Sequence, residues 1–439
     1  MQKYFLLLTF ISLLPHTLFA QDFEADFWTA QWLKYRKPKI SNNGKVYQDY
    51  NNRNELDIKS KKYLSKKLNN YNFLNDPMME DYLYQNLMEV FPTDLVLPGR
   101  YKDLNIQIIK STELNVFSTH DGSIFITTGL LSLIENEDEL EAILAHEVAH
   151  LVLDHNLKQY KTHKTTTTIG NIIDTAAMTA AAVNAEKKNY SLTNSYIATV
   201  VAGTLSNNAT AAIQQVIGAS YSRNDETAAD KIAQEWLITQ GKDKHALGRV
   251  LERAGKHYTR SGSKEWTGLL DSHPSLKKRL KKLEYISSEP NPDYRFQRMV
   301  VPSLQALATI EIHNRNFELA SELLDKIIAS QWPTEEAYLL KANISRHLQN
   351  TNKSNKDALA LLNIENQDFI NFKPEREQEK GLLFLRMEEY SKALAAFEAC
   401  ERYLVLRFKE TQEYNKEQLI WTRQMIARCK TFTNKQTSN

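Results

Sequence analysis

Hydrophobic residues follow two different periods in the first part of the chain. Residues 76–90 carry them at helical spacing on one face, which predicts an amphipathic helix. Residues 104–109 alternate between apolar and polar side chains, and two more short apolar runs follow at 114–117 and 123–128. The pattern therefore predicts a helix followed by a small β-sheet.

A longer helix is predicted after this sheet. Asn136 is a suitable N-cap, and Glu139 is placed three residues later to return the hydrogen bond of a capping box. Acidic residues in the first turn suit the positive end of the helix dipole. Alanine recurs along the segment, as the close packing of a buried helix requires. We expect this helix to run to about His155.

The predicted helix contains the pattern His-Glu-x-x-His. His146 and His150 are four residues apart, so they lie one above the other on one face and can bind one zinc ion through ring nitrogens. Glu147 is rotated by about 100° from His146. Its carboxylate can therefore take the proton of a water that zinc has made acidic. An amphipathic helix with two histidines and a glutamate by coincidence is the alternative.

A catalytic zinc site needs a third protein ligand. Leu153 and Asn156 stand where the longer HExxHxxGxxH motif would have glycine and histidine, which excludes that class of site. The next strong candidates are Glu226 and Asp230, which share one face of a predicted helix. Glu226 can bind zinc while Asp230 accepts a hydrogen bond from a ligand histidine. A solvated pair of acids at the start of a helix is the alternative.

Residues 165–220 are rich in alanine, threonine and asparagine, and no charged side chain occurs from 191 to 222. The best apolar run, residues 197–205, is far shorter than the roughly 20 residues that cross a bilayer. We predict a helical hairpin of small residues packed over the site, with peripheral membrane contact as the alternative.

The first twenty residues have the pattern of a secretory signal peptide. Lys3 precedes an apolar run that ends at Pro15, and Ala20 is followed by polar residues. An N-terminal membrane anchor is the alternative, but the apolar run is short for a span. We expect export to a bacterial periplasm, with residues 21–75 as an N-terminal segment of unknown role.

Composition limits the remaining possibilities. A chain of 439 residues is too long for one ordinary core, so two or three domains are expected. The net charge of +2, without a concentrated basic stripe, argues against nucleic-acid binding. Cys400 and Cys429 are too few for a disulfide scaffold, and we favour two small buried side chains over a disulfide between them.

The last third of the chain is predicted to be an array of helical repeats. After a linker at residues 288–293, small residues recur at Ala320, Ala358 and Ala393, in steps close to the period of about 34 residues of tetratricopeptide repeats. The most complete copy has Pro374, Gly381, Phe384, Tyr390, Ala393 and Phe397. A generic helical bundle is the alternative. Such repeats form concave surfaces that bind protein partners.

Several motifs occur in order along residues 80–285. They are Leu114-Asn115-Val116-Phe117, the run 122–130, the run 136–140, His146 to His150, Tyr221-Ser222-Arg223 with Glu226 and Asp230, Asp271-Ser272-His273-Pro274, and Arg279. Together they resemble metallopeptidase family forty-eight, the HtpX-like and CAAX-prenyl-protease-like zinc peptidases, and in particular its secreted BepA-like branch. Val116 replaces the alanine usual in that family, and residues 227–228 lack an acid often found there.

The resemblance implies an α+β, mostly helical fold. A gluzincin-type metallopeptidase domain with a small β-sheet would occupy residues 76–288, and an α-solenoid of tetratricopeptide-like repeats would occupy residues 294–432. The resemblance also implies one zinc ion per chain, bound by His146, His150 and Glu226, with Glu147 as the general base.

Two later residues are matched to the same family, His273 and Arg279. If His273 enters the cleft, it could polarise the substrate carbonyl or occupy the open zinc position and hold the enzyme inactive. A plain turn residue before a proline is the alternative.

The strand at 123–128 suggests a way to hold substrate. If Ser123, Ile124, Phe125 and Ile126 form an exposed edge strand near the zinc, an extended peptide can pair with them through main-chain hydrogen bonds. A strand internal to the fold is the alternative.

Two functions stay open at this point. The first is a zinc endopeptidase that hydrolyses misfolded or stalled envelope proteins, with unfolded or misassembled proteins as substrates. The second is a chaperone or adaptor for outer-membrane protein assembly that acts mainly through the repeats, which would contact the envelope assembly machinery.

Overall fold

The fold is known from a computed structural model. It describes Leu56, residues 72–90, 104–120, 122–166, 221–261, 276–364, Asn366, Phe369, and residues 371–411 and 416–437. The chain divides into two compact units, residues 1–291 and residues 292–439. The predicted signal peptide, most of the N-terminal segment, the low-charge block beyond Thr166, and His273 lie outside the described residues.

The first described helix of unit 1, α1, spans Pro77–Glu89, close to the predicted 76–90. Asp76 caps it, because its side chain accepts a hydrogen bond of 3.0 Å from the Met79 N–H. Its buried face, which includes Leu83 and Leu87, packs against the sheet and the long helix that follows.

Three short strands form the predicted sheet. They are β1, Asn105–Ile109, β2, Val116–Ser118, and β3, Ser123–Thr127. The strand order is β1-β3-β2, with β1 parallel to β3 and β2 antiparallel to it.

The prediction that residues 123–126 form an edge strand is therefore wrong. Ser123, Ile124, Phe125 and Ile126 belong to β3, which lies between the two other strands and uses both of its edges for pairing. A strand paired on both sides cannot accept a further chain. Among the described strands, β2 has the outer edge on that side of β3.

A close approach of two backbones joins the sheet to helix α2, Thr128–Leu131. The Thr127 hydroxyl donates to the Glu113 carbonyl over 2.6 Å, and a Cβ on Gly129 would stand 2.2 Å from the same oxygen. Only glycine fits this approach.

The long helix α3 spans Glu137–Val152 and is buried along most of its length. Asn136 caps it as predicted, accepting from the Glu139 N–H over 3.0 Å. Glu139 does not complete the capping box, because its carboxylate instead accepts from the Glu135 N–H and forms ion pairs with Arg249 and Arg253.

α3 also ends earlier than predicted. It stops at Val152, and Leu153 and Asp154 form a turn in which Asp154 has a φ of 52°. A new helix, α4, then spans His155–Thr166. The break begins three residues after His150, the second histidine of the motif.

Three further helices complete the described part of unit 1: α5, Arg223–Thr239, α6, Ala246–Ser261, and α7, Leu276–Lys282. α5 and α6 both pack on α3, and α7 packs on both of them. α5 begins with a capping box in which Ser222 and Asp225 each bind the other's backbone N–H.

The described part of unit 2 consists of helices only. They are α8, Tyr294–His313, α9, Phe317–Ala329, α10, Glu335–Leu348, α11, Asn352–Leu362, α12, Lys373–Arg386, α13, Tyr390–Thr411, and α14, Lys416–Thr437. Each helix packs against the next one along the chain.

Small residues allow close packing in unit 2. A Cβ on Gly381 of α12 would stand 2.6 Å from the ring of Phe397 on α13. Cys400 and Cys429 are free and buried, as the sequence suggested. No helix in the described part of the chain is long and apolar enough to span a bilayer.

Candidate metal centre

Three buried side chains converge between α3 and α5. His146 Nε2 lies 3.0 Å from His150 Nε2, and the Glu226 carboxylate lies 3.6 Å from the first nitrogen and 3.4 Å from the second. The two histidines come from successive turns of α3, and Glu226 comes from the first turn of α5. One ligand atom from each residue lies within 4.8 Å of the others.

The arrangement fits a zinc ion. Two atoms bound tetrahedrally to one zinc at about 2.0–2.1 Å lie about 3.3 Å apart. The two histidine nitrogens are 3.0 Å apart. One Glu226 oxygen lies 3.6 Å from the first nitrogen and the other oxygen lies 3.4 Å from the second, so all three distances are close to this value. Two imidazoles and one carboxylate are also the ligand set of one class of catalytic zinc site, which keeps a fourth position open.

Glu147 follows His146 on α3 and is completely buried. The Ser118 hydroxyl of β2 donates to its backbone carbonyl over 3.3 Å, so the helix and the strand meet at this residue. Burial raises the pKa of Tyr221 well above its usual value, and the nearby carboxylates of Glu147 and Glu226 act in the same direction. The site thus concentrates negative charge in a place without bulk water.

His146 is held by a carboxylate, which is held in turn by an arginine. His146 Nδ1 lies 2.9 Å from Asp230 Oδ1, and Arg279 binds both oxygens of Asp230 over 2.7 and 2.8 Å. Burial alone would raise the pKa of Asp230, but Arg279 and His146 hold it well below its usual range. Arg279 Nη1 also lies 3.2 Å from Glu226, so one guanidinium contacts both acids.

His150 is held by another histidine. His150 Nδ1 lies 2.8 Å from His155 Nδ1, and His155 Nε2 lies 3.4 Å from Asp225 Oδ1. Lys158 donates to the same carboxylate oxygen over 2.5 Å. Burial lowers the pKa of His155 to about 4, although Asp225 opposes the shift, so this ring is neutral at pH 7.

An aromatic ring stacks on one face of the His150 ring. The Tyr221 ring stacks on it with centroids 3.7 Å apart and planes 18° apart. The Tyr221 hydroxyl donates to Asn156 over 2.6 Å, and Asn156 in turn donates to the Ser118 carbonyl over 3.3 Å. These contacts connect the metal centre to strand β2.

Comparison with known proteins identifies the domain that contains this site. Residues 82–287, which contain this whole site, match Peptidase family M48. The chain contains a Peptidase M48 domain.

Several curated proteins are similar to parts of the chain. A Vibrio cholerae protein named as a beta-barrel assembly-enhancing protease is 25% identical over 246 residues, 54% of this chain and 46% of that protein. The Escherichia coli metalloprotease YcaL is 23% identical over 138 residues, 31% of this chain and 46% of YcaL. The mitochondrial metalloendopeptidase OMA1 of Bos taurus is 38% identical over 50 residues, 11% of this chain and 10% of OMA1.

The chain thus spans less than half of the length of each of these relatives. The family and the names of the relatives support a metalloendopeptidase, and the family implies zinc.

The M48 domain brings most of the predicted site residues together. His146, His150 and Glu226 share one cluster, and Asp230 and Arg279 lie beside it. Glu147 lies next to the cluster on α3, whereas the Ser123 to Ile126 strand is internal to the sheet.

Four contributors to the M48 site were missed from the sequence: His155, Asp225, Lys158, and the stacking of Tyr221. On a continuous helix, His155 would be rotated by about 140° from His150 and would point elsewhere. Only the break at Asp154 brings it back to the site. The role of Asp225 could have been anticipated from the sequence. It lies next to Glu226 and three residues after a possible N-cap, Ser222, which is the spacing of a capping box.

Proposed function

We propose that this protein is a zinc-dependent endopeptidase. His146, His150 and Glu226 hold one zinc ion, and Glu147 is the general base. The observation that carries the proposal is the convergence of these three buried side chains at zinc-like separations, with a second buried carboxylate, that of Glu147, next to His146 on α3.

The roles follow from the positions of the side chains. Zinc at this site would lower the pKa of a water molecule and polarise the substrate carbonyl. Glu147 is placed to take the proton of the attacking water and to pass it to the leaving amine. Asp230 orients His146, and Arg279 fixes both Asp230 and Glu226.

Replacement of Glu147 by glutamine tests the central role. Glu147→Gln keeps the size of the side chain but cannot accept the proton, so hydrolysis of an unfolded protein should fall by about 10²- to 10⁴-fold. One zinc ion per chain should remain bound, as measured by elemental analysis.

Glu141→Gln is the matched control, because it changes a second buried glutamate of α3 that lies outside the ligand cluster. It should keep the wild-type cleavage rate. Equal rates for wild type and Glu147→Gln would contradict the proposed role of Glu147. Bound zinc with equally negligible cleavage by both proteins would favour the chaperone or adaptor function.

We also propose that β2, and not β3, binds the substrate chain. β2 contacts α3 at Glu147 and has its outer edge on the side away from β3. An extended peptide that pairs with this edge would lie along the metal centre and would be recognised by its main chain more than by its side chains.

The repeat interpretation of residues 294–432 remains part of the proposal. It is supported by helices that pack in sequence order and by the contact between Gly381 and Phe397, two positions where the repeat pattern needs a small and a large residue. This unit would present clients or bind an assembly partner, which is also the basis of the adaptor alternative.

The proposed substrates are misfolded or stalled proteins of a bacterial envelope. Support comes from the signal-like N-terminus and from the name of the Vibrio cholerae relative, which refers to beta-barrel assembly. The proposed location is the periplasm, and the low-charge residues 191–222 are the candidates for peripheral membrane contact.

A further inference from the structure

The geometry of His150 defines which of its nitrogens carries the proton. Its Nε2 faces the ligand cluster, 3.0 Å from His146 Nε2 and 3.4 Å from Glu226. A metal ligand must present a lone pair at that nitrogen. The proton of a neutral His150 ring is therefore on Nδ1, which lies 2.8 Å from His155 Nδ1.

The proton on His150 then determines the state of His155. Since His150 Nδ1 donates, His155 Nδ1 must accept, and the proton of its own neutral ring is on Nε2. That nitrogen faces Asp225 Oδ1 at 3.4 Å. Lys158 and Ser222 both donate to the Asp225 carboxylate, at 2.5 Å each. Every polar group in this chain of contacts has a partner of the matching kind.

The two ligand histidines are thus supported from the same helix. His146 contacts Asp230 directly, and His150 reaches Asp225 through one intervening ring. Both carboxylates belong to α5 and lie on either side of Glu226 in the sequence. α5 therefore supplies one ligand and the acids that orient the other two.

We propose that His155 is a positioning residue of the metal centre. It fixes the tautomer and the ring orientation of His150 by accepting its Nδ1–H, and it transmits the restraint to Asp225 on α5. The role rests on the proposed zinc site. Outer partners of this kind commonly change metal affinity by about 10- to 100-fold when they are removed.

Two substitutions of His155 separate hydrogen bonding from packing. His155→Phe keeps a ring of similar size but has no acceptor, so the zinc dissociation constant should rise about 10- to 100-fold. His155→Asn keeps an acceptor at the position of Nδ1. It should bind zinc within about threefold of wild type although it fills less space, because the hydrogen bond accounts for the larger share of the effect.

Zinc affinity is measured on the full-length protein by competition with a chromophoric chelator. The visible spectrum of the cobalt-substituted protein gives a second readout, because it responds to the ligand field and not to turnover. It should shift in His155→Phe and match wild type in His155→Asn. Far-UV circular dichroism of the metal-free proteins verifies that each variant is folded.

Asp225 supplies a further control, since it also caps α5. Asp225→Asn should weaken zinc binding in the wild-type background and have little further effect in His155→Phe, because the two residues act in series. Ser222→Ala removes the cap and one donor to Asp225 but keeps the contact between Asp225 and His155, so it should weaken zinc binding less than Asp225→Asn does.

Failure of the positioning role and failure of the proposed zinc site give different results. Stoichiometric zinc binding by wild type with an unchanged dissociation constant in folded His155→Phe would overturn the positioning role alone. A His155→Asn variant as weak as His155→Phe would overturn it too, because ring packing would then explain the effect. Failure of wild type itself to bind one zinc ion would instead refute the proposed function.

Discussion

Glu141 is another buried glutamate of α3, five residues before His146. Its carboxylate accepts a hydrogen bond of 2.8 Å from Lys242, and its side chain is completely buried. Burial raises its pKa from 4.5 to about 7, although the Lys242 ammonium acts in the opposite direction. Near neutral pH this group is therefore divided between its two protonation states.

The raised pKa of Glu141 predicts a pH dependence of stability. Between pH 4.5 and about 7 the folded protein keeps a proton that the unfolded chain has released. The free energy of unfolding therefore falls as pH rises through this window, by about 3 kcal/mol, and is level above it. In Glu141→Gln this decrease should disappear.

Urea denaturation at pH 5 and at pH 8 measures the effect. The relevant quantity is the difference between wild type and Glu141→Gln, because other titrating groups are common to both. Asp230 contributes little in this range, since its lowered pKa gives stability that is lost only as pH falls below about 4. Parallel pH profiles for the two proteins would show that Glu141 is charged at neutral pH.

At the scale of single elements, β2 has a defined outer edge. The Thr119 N–H donates to the Ser123 carbonyl and the Thr127 N–H to the Asn115 carbonyl, which makes 115, 117 and 119 the hydrogen-bonded positions. In an antiparallel pair the intervening residues direct their main-chain groups to the other side. Val116 and Ser118 therefore present theirs to the outer edge, where Asn156 already binds the Ser118 carbonyl.

This geometry predicts how a peptide substrate responds to backbone changes. N-methylation should raise KM at alternate residues of the peptide, because a paired strand directs every second N–H to its partner. Peptides methylated at the neighbouring positions are the matched controls, since they carry the same extra group. A uniform effect along the peptide, or no effect, would argue against binding at β2.

At the scale of the whole molecule, the three proposed metal ligands all belong to one of the two units. His146, His150 and Glu226 lie in residues 1–291, whereas α8 to α14 lie in residues 292–439. Zinc that binds only the folded site stabilises that unit by about 4 kcal/mol at a thousandfold excess over the dissociation constant.

Hydrogen exchange is expected to show that zinc stabilises the first unit and not the second. Zinc should slow amide exchange in α3 and α5 strongly and leave α8 to α14 nearly unchanged. Glu226→Gln, which weakens the ligand set, should show a much smaller response in α3 and α5. Slowing of similar size in both units, or an undiminished response in Glu226→Gln, would mean that the metal acts elsewhere.

Features that depend on neighbours in the sequence were predictable. The period of apolar residues located α1 and the three strands, and Asn136 marked the start of α3. The spacing of His146 and His150 placed both rings on one face, because helix geometry alone decides this. The order of the motifs indicated the peptidase family whose model matches residues 82–287.

Features that depend on competition between groups far apart in the sequence could not be predicted from the sequence. Glu139 could cap its own helix or pair with Arg249 and Arg253. Ion pairs with one buried and one partly buried guanidinium group outweigh a hydrogen bond to one backbone N–H. Whether β3 is an edge or a central strand is decided by which strand lies on each side, and local patterning does not contain that information.

The sequence by itself determined the chemistry of this protein: a pair of histidines at helical spacing, a glutamate between them, and two acids on a later helix. The tertiary structure decided how that chemistry is supported. The turn at Asp154 redirects His155 to His150, and α5 brings Asp225 from 70 residues away to meet it. Local periodicity follows from backbone geometry, whereas such contacts exist only once separate helices pack together.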